Sequence, residues 1–63
     1  MKDFSNQFWT RYDELLDAVE GMGYTVEYAT DEYIIVTDED EDEYTLYLGW
    51  AGRTMWIKEV WAA

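Results

Sequence analysis

The chain has 63 residues, with 15 Asp and Glu against 4 Lys and Arg, and its formal net charge is -11. It contains no Cys and no His, which excludes disulfides, thiolate or imidazole metal sites, Cys nucleophiles and His-dependent triads. Only carboxylates, hydroxyls and backbone groups remain for chemistry, so the expectation is a protein that is not an enzyme and takes no cofactor.

A domain of this size buries only about 60% of its unfolded surface and needs a dense core. The density here is aromatic: four Trp, six Tyr and two Phe make up 19% of the chain. Each buried ring removes roughly 150 to 250 Å² from water, and such a composition is the opposite of a disordered one. A single folded domain over residues 1–63 is expected.

In chain order, Phe4, Phe8, Trp9, Tyr12, Leu15, Leu16 and Val19 recur at steps of three and four, which predicts an amphipathic helix from Asp3 to Glu20. Asp3 or Ser5 is the expected N-cap, and Gly21 or Gly23 the left-handed stop. Asp13, Glu14, Asp17 and Glu20 fall opposite the apolar stripe, giving the helix an acidic outer face. The period then changes to two. Tyr24, Val26 and Tyr28 alternate with polar residues over 24–29, and Tyr33 to Thr37 is β-branched and apolar on both sides. Tyr44 to Trp50 resumes the alternation, and Ala51-Gly52-Arg53 supplies a turn. Thr54 to Trp61 has residue types enriched in strands, and a strand is preferred there over a short helix.

The resulting fold class is α+β: one N-terminal amphipathic helix packed on a three- or four-stranded antiparallel sheet, α-β-β-β-β in order. A single helix covers one sheet face. Placing Tyr24, Val26, Tyr28, Leu46, Leu48 and Trp50 beneath it leaves Tyr47, Trp56 and Val60 on the other face, with Thr25, Glu27, Thr45 and Lys58. That outer face is either scattered surface aromatics or a dimer or partner patch.

Asp38-Glu39-Asp40-Glu41-Asp42-Glu43 interrupts the apolar pattern with acids alone. It is not an EF-hand loop, because its sixth residue is Glu43 where Gly is required and its twelfth is Gly49 where a bidentate Glu is required. No metal site is expected. A soluble small domain needs a net charge of only about 2 to 8, so the excess asks for another cause. Extended, such a run would carry charge at about 3.3 Å per residue, near the ~3.4 Å interval of phosphates along one DNA strand. Averaged over the whole surface the match fails, since each net charge has roughly 400 Å² against about 100 Å² on a duplex. Only a stripe would imitate DNA, formed by Asp38 to Glu43 together with Asp31 and Glu32, or with Asp13, Glu14, Asp17 and Glu20.

These features point to a basic protein as partner, one that binds nucleic acid by Arg and Lys, and away from direct nucleic-acid binding. The acids would supply attraction, and Tyr47 and Trp56 the apolar anchor. In size and acidity the chain is similar to small phage-encoded inhibitors of host nucleic-acid enzymes, DNA mimics among them, though no motif is shared. The alternatives are a homodimer or other interaction module joined through the aromatic face, and an immunity-type protein that neutralises a basic toxin. The first residues lack the apolar core of a signal peptide and no stretch approaches the ~20 apolar residues of a membrane span, so a cytoplasmic protein without membrane partners is expected.

Overall fold

The computed structural model describes residues 7–62. Its elements are a helix α1 (Tyr12–Gly21) and strands β1 (Thr25–Ala29), β2 (Tyr33–Thr37), β3 (Glu43–Ala51) and β4 (Thr54–Ala62). The four strands form one antiparallel sheet in the order β1-β2-β3-β4, a meander in which each strand pairs with the next. The expected fold class and element order are those observed, with four strands and a strand at 54–62.

The helix begins later than its periodicity implies. Arg11 is the N-cap residue, in extended backbone with no side-chain capping bond, and Trp9, two residues before it, forms an isolated antiparallel bridge. Trp9 exchanges backbone hydrogen bonds with Met55 (Trp9 N–H to Met55 O 2.9 Å, Met55 N–H to Trp9 O 2.7 Å), closing the open edge of β4 at its start. Asp3, Phe4 and Ser5 lie outside the described residues. The stop is as expected: Gly23 takes φ 97, where a side chain would strain the backbone, and its N–H bonds to Glu20 O at 3.0 Å. Asp13 and Glu14 in the first turn oppose the positive end of the helix dipole favourably.

Leu15 and Val19 are fully buried on the inner face of α1, against Ile34, Val36, Leu46, Leu48, Met55 and Ile57 of the sheet, with Tyr24 at the edge of this core. Cross-strand partners share a face, and the register assigns Val26, Val36 and Tyr44 to this side, followed by Ile34, Leu46 and Val60, then Leu48 and Ile57, then Trp50 and Met55.

Two bulges overturn two expected placements. In β1 the register shifts between Val26 and Tyr28, leaving Glu27 as the extra residue and turning Tyr28 to the outer face, opposite Ile35. In β4 the partners of Tyr47 and Leu48 are Glu59 and Ile57, so Lys58 is the extra residue. Val60 is thereby moved from the expected outer face to the core side, and Trp61 to the outer face. One inserted residue inverts the side of everything beyond it.

Candidate functional site

The acidic run is a tight loop between β2 and β3, with Glu43 already the first residue of β3. Asp38 organises it. Its N–H bonds to Asp42 O at 3.0 Å and its carbonyl accepts from Glu41 N–H at 3.1 Å. Its Oδ1 accepts from the N–H of Asp40 (2.9 Å) and of Asp42 (3.0 Å), and its Oδ2 from the Tyr44 hydroxyl (3.3 Å). Glu41 is held at φ 65, an uncommon conformation for a side-chain-bearing residue. The loop therefore concentrates charge in a knot, and the extended spacing that would match phosphates does not form there.

Asp38, Asp40 and Asp42 each bring a carboxylate oxygen within 4.8 Å of the others. Three such groups leave most of the about six to eight ligand positions of a Ca²⁺ ion to water, and Asp38 is already occupied by N–H donors.

Asp31 and Glu32 lie in the β1–β2 loop, at the opposite end of β2 from Asp38, about 17 Å away along five residues of strand. These two acids and the run at 38–43 do not form one stripe. The β1–β2 loop is itself pinned: Thr30 Oγ1 accepts from the N–H of Glu32 (3.2 Å) and Tyr33 (3.0 Å), the Trp50 indole N–H donates to Asp31 O (2.7 Å), and the Tyr12 hydroxyl donates to Thr30 O. Burial raises the Tyr12 pKa above its ordinary 10.0, and the nearby Asp31 carboxylate adds to the shift. The Tyr44 pKa is raised as well, by desolvation first and then by Asp38.

The helix connects the two ends. Tyr12 reaches Thr30 at one end, and the chain leaving α1 enters β1 at Thr25, opposite Thr37 and beside the acidic loop. Asp13, Glu14, Asp17 and Glu20 are all exposed. Asp13 and Glu14 stand in the first turn, next to Tyr12 and so at the Thr30–Asp31 end, and Glu20 stands in the last turn, at the end from which the chain enters β1. Among the described residues the one ion pair is Arg11 with Asp13, at 3.1 Å and well exposed, so almost none of the negative charge is neutralised locally. The two arginines gather elsewhere. Arg11 and Arg53, with Tyr12, Trp50 and Met55, line an open cleft of about 680 Å³ where the N-terminal end of α1 meets the β3–β4 turn.

The face of the sheet away from the helix carries a band of rings. Register places Tyr28, Ile35, Thr45 and Trp61 in one row and Tyr33, Tyr47 and Glu59 in the next. Tyr28, Tyr33 and Tyr47 form a file across three strands, with successive ring centroids 6.2 Å apart. Trp56 lies across Gly49, where an added Cβ would come within 2.5 to 2.7 Å of the indole, and Phe8 meets Trp56 edge-on at 6.0 Å. Tyr28 and Trp61 are 57% and 60% exposed and Tyr47 is 38% exposed, which makes this face a patch and not a set of isolated rings.

Tyr47 and Trp56 stand on the outer face as expected, Trp56 half-buried because it covers Gly49. Tyr28, Tyr33 and Trp61 belong to the same patch and were missed by alternation alone. The charged groups that register or hydrogen bonding fixes on this face are all acidic. Glu43 pairs with Thr37, Glu27 accepts from the Thr37 hydroxyl (3.0 Å), and Glu59 accepts from the Trp61 indole N–H (3.0 Å).

Among the described residues no helix is long and apolar enough to cross a membrane. The chain matches no protein-family model, no curated protein and no solved structure, so the functional reading rests on the geometry above.

Proposed function

We propose that the protein is a small acidic regulator or inhibitor that binds a basic surface of a larger protein, of the kind whose Arg and Lys otherwise hold nucleic-acid phosphates. One observation carries this reading: an uncovered aromatic sheet face in a body whose carboxylates are mostly exposed and, among the described residues, form one ion pair. Rings without acids would suit any apolar partner, and acids without rings would give weak, salt-sensitive attraction with no desolvated anchor. Together they favour a cationic partner with fast, steered association.

The protein acts in this reading by occupancy and without catalysis. Asp13 and Asp17, one turn apart on α1, are both exposed and line no enclosed pocket that would set one of them to work as a catalytic group. Repression of a nucleic-acid enzyme and neutralisation of a basic toxin are two biological uses of the same chemistry.

The test is capture from a lysate of the source cells at low salt, with elution first by a salt gradient and then by DNA. The expected result is one basic protein released sharply by either. A retained partner indifferent to salt and to DNA would overturn the proposal. A variant carrying Glu39→Gln, Asp40→Asn, Glu41→Gln and Asp42→Asn should lose much of the captured material, with Asp38 kept because it holds the loop together.

A further inference from the structure

We infer that the docking surface is the outer sheet face, and that it takes an extended, arginine-bearing segment of the basic partner, each guanidinium stacking on one ring of the Tyr28–Tyr33–Tyr47 file. The inference rests on the proposed function and names the surface and the side chain it selects.

Charge decides between the occupants of this face. A second copy would dock isologously, the same patch against itself, and would set the Glu27, Glu43 and Glu59 of one chain against the same acidic set of the other while doubling a net charge of -11. Like charges brought together at an interface cost more than rim contacts return. A cationic partner turns the same three carboxylates into attraction.

Geometry selects arginine over lysine. The rings are spaced by 6.2 Å from Tyr28 to Tyr33 and again from Tyr33 to Tyr47. In an extended chain, residues two apart are about 6.6 Å apart and point to the same side. A segment crossing the strands with arginines at alternate positions therefore presents one planar group per ring. At the end of the file, on β4, stands Glu59, the cross-strand partner of Tyr47. Guanidinium is planar and weakly hydrated, stacks on an aromatic face and pairs with carboxylate by two parallel hydrogen bonds, whereas ammonium is a strongly hydrated point charge. Arg11 and Arg53 lie at the end of the molecule near the β3–β4 turn; Lys58, exposed in the β4 bulge, is the one cation beside Glu59, and it is outnumbered by Glu27, Glu43 and Glu59 on this face.

The experiment is a calorimetric titration of the full chain with two synthetic peptides of equal length and charge, one alternating Arg with Ser and the other Lys with Ser. Tighter binding of the arginine peptide by about fivefold is expected. Tyr33→Leu with Tyr47→Leu should abolish the difference, and Tyr47→Phe, which keeps the ring, should preserve it. The four-amide loop variant should weaken both peptides by a similar factor. Equal affinity for the two peptides, or a preference that survives loss of both rings, overturns the inference while leaving the proposed function standing. Failure of both peptides to bind overturns both. A dimer in sedimentation that neither peptide dissociates would assign the face to a second copy and likewise overturn the inference.

Discussion

Neutralising one acid of the loop between β2 and β3 should have the opposite effect from neutralising its neighbours. Asp38→Ala removes an acceptor from two backbone N–H groups, at 2.9 and 3.0 Å, and from the Tyr44 hydroxyl at 3.3 Å. Net contributions of about 0.5 to 1.5 kcal/mol for each backbone bond give a cost of about 2 kcal/mol. Relief of like-charge repulsion returns a few tenths of a kcal/mol. For a domain of this length each kcal/mol corresponds to roughly 4 to 8 °C, so Asp38→Ala should lower the Tm by about 10 °C. Asp38→Asn keeps a side-chain carbonyl for the two N–H groups and should cost less than half as much. Glu39→Gln and Asp40→Asn remove charge without removing an acceptor from the loop backbone and should raise the Tm slightly. Thermal melts by circular dichroism at low ionic strength separate these cases. If Asp38→Ala stabilised the protein as its neighbours do, the loop would not be organised by this carboxylate.

Further outcomes follow from the same structure. Added salt should raise the Tm of the isolated protein by screening its largely unpaired carboxylates, and a melting temperature flat in salt would mean the charges are compensated. Gly49→Ala forces the Trp56 indole off the sheet, should cost about 1 to 3 kcal/mol in denaturant unfolding, and should shift tryptophan emission. Tyr12 and Tyr44 have raised pKa values, so the folded state disfavours their ionised forms. The stability this represents is intact below the ordinary tyrosine pKa of 10.0 and is lost as pH rises through the folded values. Titration of Tyr12 and Tyr44, followed in the ultraviolet against their Phe variants, should accordingly show both ionising above the ordinary value, with a Tm that falls in the same alkaline range; ionisation of both at the ordinary value would contradict it.

Fold class was legible because the period of the apolar residues changes from helical to alternating after Gly23, and each turn has its own chemistry. The span of β2 was readable to the residue, since Tyr33 to Thr37 is bounded by acids on both sides. Errors arose where periodicity is ambiguous or locally broken. Steps of four, as from Phe8 to Tyr12, fit a helix but are also even, and Trp9 is held in a bridge to Met55, so the helix starts only after the bend at Thr10 and Arg11. Glu27 and Lys58 are bulge residues that carry no Gly or Pro to announce them, yet each reverses the face of the residues beyond it. The outer patch was therefore only half visible: Tyr47 and Trp56 were placed correctly, Tyr28 and Trp61 required the register, and Val60 was placed on the wrong side. The acidic stripe failed for a different reason. Adjacency of Asp31 and Glu32 to the 38–43 run in sequence becomes opposition in space, because a strand intervenes.

The central claim is that exposed carboxylates and an aromatic sheet face act together on a cationic partner. Its most direct measurement is the affinity of the captured partner for the intact protein, for the four-amide loop variant and for the Tyr33→Leu, Tyr47→Leu variant, each at low and at high salt. The account expects the loop variant to bind more weakly with a flatter salt dependence, and the tyrosine variant to bind more weakly with the salt dependence unchanged. Equal affinity of all three proteins for the partner at low salt would contradict it.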